Sequence, residues 1–123
     1  MTEPTTLPGL DGLIGLQIVS STKDSTVARL EVTPDHHQPF GLLHGGVLCS
    51  IVETVGSISG SVWYGGGVVG TSNHTNFLRA VRSGTLTATS TPVHRGRTQQ
   101  LWEVEIAECT AAAPSSSGRS RSP

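Results

Sequence analysis

Apolar residues recur at every second position in three stretches of this 123-residue chain, and at every third or fourth position in one. From Ser25 to Val32, Thr26, Ala28, Leu30 and Val32 share one face, while Ser25, Val27, Arg29 and Glu31 share the other. That period of two predicts a strand. Gly84 to Val93 sets Leu86, Ala88 and Ser90 against Thr85, Thr87, Thr89 and Thr91, and β-branched threonine favours the same conformation. Gln99 to Ala107 is the clearest strand, with Trp102, Val104 and Ile106 opposite Leu101, Glu103 and Glu105. Leu13 to Val19 (LIGLQIV) predicts another strand, interrupted by a glycine, and Val68 to Phe77 a further one, polar from Thr71 to Asn76. The first twelve residues, punctuated by Pro and Gly, read as a loose arm or a short turn of helix.

Between the Ser25–Val32 and Val68–Phe77 segments, Gly46 to Trp63 follows the helical period. At 100° per residue, Val47, Leu48, Ile51, Val55, Ile58 and Val62 lie opposite Glu53, and Gly46, Cys49, Ser50, Gly56, Ser57 and Gly60 flank it. A solvent-facing side would carry Lys, Arg and several Glu. Small residues around one carboxylate predict a helix approached closely on both sides. Gly65-Gly66-Gly67 ends it, and turns are read at Ser21–Asp24 and His94–Arg97, with a loop from Pro34 to Pro39. Two strands, one long helix and three strands predict an α+β domain whose antiparallel sheet wraps the helix. From Cys109 the chain becomes small, polar and basic (TAAAPSSSGRSRSP). The expectation is a domain over 1–108 and a disordered tail over 109–123.

Composition narrows the function classes. Charged residues are 14% of the chain, against about 25% in an average protein. The formal net charge is −1, so no general positive field holds nucleic acid. Ser, Thr and Gly replace surface charge. Either part of the surface is buried against another copy, or the monomer surface is simply rich in hydroxyls. No apolar run approaches the roughly 18 residues of a membrane helix, and MTEPTTLPGLDG lacks the marks of a signal peptide. Cys49 and Cys109 form neither a disulfide framework nor a zinc spacing. The five histidines show no ligand pair. The reading is cytoplasmic and without metal.

The best chemical constellation is QPFGLLHGGVLCSIVETVGS, Gln38 to Ser57. His44 precedes the helix, and Gly45 and Gly46 open it. The first N–H groups of a helix lack internal partners and carry the positive end of its dipole, so they can polarise a thioester or ester carbonyl. Glu53 stands about two turns on, with Ser57 one turn beyond on the same side. Other readings stand beside these: HGG as a plain loop-to-helix junction, Glu53 as the structural partner of an Arg, and Cys49 as a small core residue.

These residues resemble hotdog-fold acyl-CoA thioesterases of the PaaI-like group, a resemblance that also reaches the proofreading thioesterase of enterobactin biosynthesis and one type of 4-hydroxybenzoyl-CoA thioesterase. It runs from Gln38 to Ile106 and rests on QPFGLLHGG, the Glu nine residues after His44, VVG at Val68 to Gly70, and PVHRGRTQQLWEVEI. The resemblance implies a hotdog fold and a homodimer or homotetramer with active sites across the dimer interface. It implies Glu53 as catalytic nucleophile or general base and Gly45 as backbone donor to the thioester carbonyl. Gln38 and His44 would orient the acyl thioester, and Ser57 would position water or the carboxylate. The turn Arg95-Gly96-Arg97 would meet CoA phosphates or be a solvated hairpin. The substrate would be an acyl-CoA or acyl-carrier-protein thioester, with no cofactor. Two departures stand out. Phe77 replaces a histidine of the enterobactin enzyme, which favours a more apolar acyl pocket. The sequence after Ile106 departs from the family's last strand, as a truncation or a shifted reading frame would make it. Such a departure also leaves open a non-catalytic acyl-CoA binder or defective paralogue on the same fold.

Overall fold

The computed structural model describes residues 3–109 and 115–122, with side chains through Cys109. In chain order it contains β1 (Thr5–Thr6), α1 (Gly9–Ile14), β2 (Gln17–Ser21), β3 (Thr26–Val32), a 3-10 turn at Pro34–His36, and α2 (Gly45–Tyr64). Then follow β4 (His74–Phe77), β5 (Gly84–Arg95), β6 (Gln100–Cys109) and β7 (Ser115–Ser122). Among the described residues the strands form one sheet in the order β1-β2-β3-β5-β6-β7-β4, and every pairing is antiparallel.

The sheet curves round α2, the hotdog arrangement anticipated above. The alternating faces fall as the pattern dictates: Ala28, Leu30, Leu86, Ala88, Val104 and Ile106 are all buried. They meet Leu48, Ile51, Val52 and Val55 of α2 in one core. The buried stripe is rotated from the expected one. Val52 is fully buried and Val62 is exposed, because the sheet reaches the helix from the side of Val52 and Ser59. α2 is also long and apolar enough to cross a membrane by length and composition, with a mean hydropathy of 1.3. No unbroken apolar run signals this, because glycine, serine and a single acid dilute the stretch. Its apolar face is taken by the sheet.

Polar groups inside this core are paired. Ser90 Oγ accepts the Thr26 N–H at 2.7 Å and shares a 2.6 Å hydrogen bond with Ser59 Oγ. Ser59 also donates to Val55 O at 2.7 Å. The chain ties β3, β5 and α2 together and leaves none of its members bare.

Three expectations are corrected. Leu13 and Ile14 belong to α1, not to a strand: Gly15, at φ 82°, ends that helix in the left-handed region, and β2 starts only at Gln17. The strand expected from Val68 is confined to His74–Phe77. Val68 to Ser72 instead runs beside α2 as a strap without regular structure, with Val68 against Gly60 and Gly70 against the Glu53 carboxylate. The tail is not disordered throughout. β7 pairs with β6 on one side and β4 on the other, so its backbone groups are used in two ladders. Composition rules weigh apolar burial and miss that gain. Residues 110–114 lie outside the described residues.

The hydroxyl chain generates a prediction. Ser90→Ala strips the Thr26 N–H of its buried acceptor, which should cost about 1–3 kcal/mol. Thermal unfolding should show a lower midpoint, with turnover at 25 °C close to wild type.

Candidate active site

The first turn of α2 is held by its own loop. His44 is the N-cap, and its Nδ1 accepts the Gly46 N–H at 2.8 Å. The loop before it is laced by Gln38 N–H to Leu42 O at 2.7 Å, Leu43 N–H to Val81 O at 2.7 Å and His44 N–H to His36 O at 2.8 Å. The Gln38 side chain accepts the Phe40 N–H through Oε1. His44 therefore has a structural role that its place outside the apolar pattern did not reveal. Removing such a cap costs about 1 kcal/mol.

Gly45 opens the helix beneath the ring of Phe77: a Cβ on Gly45 would lie 2.7 Å from Phe77 Cζ. Around them is a cavity of about 350 Å³ whose lining includes Gln38, Gly45, Leu48, Phe77, Leu78 and Val81. It is apolar on most sides, with Gln38 and Arg79 as its polar members. The sequence-predicted residues Gln38, Gly45 and Phe77 thus come together at one end of α2.

Glu53 and Ser57 come together elsewhere. Ser57 Oγ donates to Glu53 Oε2 at 3.1 Å. The carboxylate lies against the strap, where a Cβ on Gly70 would stand 2.5 Å from Glu53 Oε2 and 3.1 Å from Oε1. Only a residue without a side chain leaves the carboxylate this position. Glu53 is exposed, not enclosed as the small-residue face predicted, so the chain alone does not cover it. Asn73 Nδ2 secures the strap to α2 by donating to Cys49 O at 3.0 Å.

Ser57 and Gly70 also line a larger cavity of about 890 Å³, bounded further by Gly96, Arg97, Gln100 and Trp102. Gly96 N–H donates to Gln99 O at 2.8 Å and closes the hairpin. Arg97 is exposed. Arg95 is engaged otherwise. Its Nη1 donates to Asp24 Oδ1 at 2.8 Å and to Lys23 O at 3.0 Å, and the guanidinium lies 5.6 Å and 5.9 Å from the ring centroids of Trp63 and Trp102. Arg95 thus joins the β2–β3 turn to the aromatic pair and is not a lining residue of the larger cavity, whereas Arg97 is one.

The constellation was legible from residue types and spacing, but the strap was not. Gly70 gave a signal only as part of VVG, and its contact with Glu53 is a tertiary fact. Gln100 was also missed. Its Nε2 donates to Gly60 O at 3.3 Å and its Oε1 accepts the Trp102 indole N–H at 2.7 Å, which anchors the floor of the larger cavity.

Comparison with known proteins adds an independent line. The thioesterase superfamily profile matches residues 40–108. A putative esterase of Mycobacterium tuberculosis is 41% identical over 105 residues, covering 81% of this chain and 75% of the relative. A 1,4-dihydroxy-2-naphthoyl-CoA hydrolase of Listeria monocytogenes is 40% identical over 104 residues, covering 83% and 85%. The crystal structure of S. sahachiroi AziG superposes with a TM-score of 0.88 at 42% identity, covering 94% of each chain.

The strap contact predicts that Gly70→Ala displaces the Glu53 carboxylate. A 1 Å misplacement of a reacting group costs on the order of 10²-fold in rate. Turnover should fall by that order while the melting temperature stays near wild type, which parallel kinetic and calorimetric measurements check.

Proposed function

The chain belongs to the thioesterase superfamily, and on that footing we propose that it hydrolyses an acyl-CoA thioester to the free acid and CoA. Glu53 is the general base or nucleophile, and the Gly45 N–H is the carbonyl donor. The observation that carries this reading is the Glu53–Ser57 pair, an acid oriented by a hydroxyl on the exposed side of the central helix.

In the general-base form, Glu53 takes a proton from water as the oxygen attacks the thioester carbon. Negative charge gathers on the carbonyl oxygen and is met by the N–H of Gly45 and the positive end of the α2 dipole. The tetrahedral intermediate collapses with cleavage of the C–S bond. CoA leaves as thiolate and takes up the proton. Ser57 holds the carboxylate or the attacking water. Gln38 and His44 orient the thioester. Water is the only co-reactant.

Geometry supports a site shared between two copies. Gly45 and Glu53 lie on one helix, eight residues apart, which is about 12 Å of axial rise and a rotation of about 80°. One carbonyl group cannot meet both within hydrogen-bond reach. A second copy that lays its Glu53 and Ser57 beside the Gln38–Gly45 end of the first resolves the distance. It also covers the exposed carboxylate. The reading is therefore a homodimer, or a tetramer built from dimers, with two composite sites.

The acyl group belongs in the 350 Å³ cavity. Phe77, Leu48, Leu78 and Val81 favour a compact apolar or aryl acyl group there. Gly96 and Arg97 border the larger cavity, where Arg97 can meet a phosphate of CoA or of a carrier-protein arm.

Thiol release from benzoyl-CoA and octanoyl-CoA tests the activity. Glu53→Gln keeps the shape and should lower turnover by about 10²-fold or more without loss of folding or binding. Turnover by this variant at the wild-type rate would overturn the assignment. The shared site predicts complementation. Inactive His44→Ala and Glu53→Ala proteins, mixed under subunit exchange, should recover activity in verified heterodimers, because one of the two sites is then intact. A stable, active monomer would remove the shared site.

A further inference from the structure

His36 is the buried histidine of the described residues, 6% exposed, and the mechanism above gives it no task. Its ring bonds on both nitrogens, with Thr33 Oγ1 a further, longer contact of Nδ1 at 3.4 Å. Nδ1 accepts the Thr33 N–H at 2.9 Å, and Nε2 lies 2.6 Å from Ile14 O. An acceptor at Nδ1 and a carbonyl at Nε2 fix the neutral tautomer that carries its proton on Nε2. Ile14 is the last residue of α1, so the ring serves one of the carbonyls that a helix end leaves unpaired.

The main chain of His36 faces the other way. Its carbonyl accepts the His44 N–H at 2.8 Å, and His44 in turn caps α2 through Gly46. A line of hydrogen bonds therefore runs from the end of α1, through the ring and backbone of His36, to the first turn of α2. A second tie reinforces it: Thr54 Oγ1 donates to Asp11 Oδ1 at 2.6 Å, so α1 also grips α2 one residue beyond Glu53.

We propose that His36 is a positioning residue for thioester hydrolysis: it pins the Thr33–His36 turn to the end of α1 and so fixes the backbone from which His44 caps α2 and the Gly45 N–H is aimed. The proposal rests on the reading of Gly45 as carbonyl donor. An oxyanion donor works only when held in advance at the position the oxygen will occupy. The loop between His36 and Gly45 is anchored to the Val81–Arg82 segment by the Leu43 N–H and the His37 ring, and His36 adds its tie to α1. The N-terminal helix, distant in sequence from the chemistry, becomes part of its scaffold.

The test compares wild type with His36→Phe, which fills the space and makes neither hydrogen bond, and His36→Gln, whose amide can donate to Ile14 O. Ser90→Ala is the control, a buried substitution remote from the loop. With benzoyl-CoA, His36→Phe should lose about tenfold or more in kcat, with KM within about threefold, as expected of a misaimed donor. His36→Gln should regain at least about a third of the wild-type kcat, and Ser90→Ala should stay within about twofold despite its lower melting temperature. Amide exchange provides the second readout. In wild type the His44 and Gly46 amides should be protected about 100-fold or more over an unstructured peptide. In His36→Phe they should lose about tenfold of that protection while Val55 keeps its own. Wild-type kcat in His36→Phe, kcat loss in Ser90→Ala in step with its melting temperature, or an unprotected His44 amide in wild type would each overturn the proposal. The last of these needs no variant to fold. If wild type releases no thiol, the hydrolytic reading falls, and the exchange comparison still decides whether His36 holds the start of α2.

Discussion

A twenty-residue helix containing four glycines does not persist by its own propensity. Each glycine costs about 1 kcal/mol relative to alanine, and helical stability in proteins comes mainly from packing an apolar face. α2 exists because Leu48, Ile51, Val52 and Val55 are buried against the concave side of the sheet. Everything functional hangs on that burial. The sheet fixes the helix axis, and the axis fixes where the His44 cap and the Glu53 carboxylate stand, about two turns apart.

The same glycines explain why the helix is not built more strongly. Gly45 admits the Phe77 ring at the helix start, and Gly60 admits Gln100 and Val68, each near where a Cβ would be. Phe77 at the end of β4, Gln100 at the start of β6 and Val68 of the strap press close on α2 at these positions, and a larger residue there would push them off. Gly70 provides the reciprocal case, with the missing side chain on the strap and the carboxylate on the helix. Local propensity is given up for close approach, and the sheet makes good the loss.

Much of this was readable from the chain. Period-two alternation located β3, β5 and β6 and named their buried faces correctly, because a half-buried strand has no other way to separate apolar from polar side chains. The helical period located α2 to within a residue at each end. The site was readable in part. Gln38, His44, Gly45, Glu53 and Ser57 form a local segment, so their order and spacing appear in the sequence. β7 was not readable by composition. The signal it offered is the alternation of Arg119 and Arg121, which the register places across from Glu105 and Glu103. α1 was misread as strand because Leu13 and Ile14 are apolar in any period, and a six-residue helix is too short to show its own.

What the sequence determined by itself is therefore what depends on near neighbours: the alternating faces, the long helix, and the segment that carries the acid and the helix-start glycines. The tertiary structure decided what depends on residues far apart along the chain. It set the Gly70 strap against Glu53, turned Arg95 to Asp24 instead of the larger cavity, and joined the end of α1 to the start of α2 through His36. Periodicity records which side of an element is buried, but not which distant residue buries it. That choice is made by packing, where shape and hydrogen-bond satisfaction are judged for the whole domain at once.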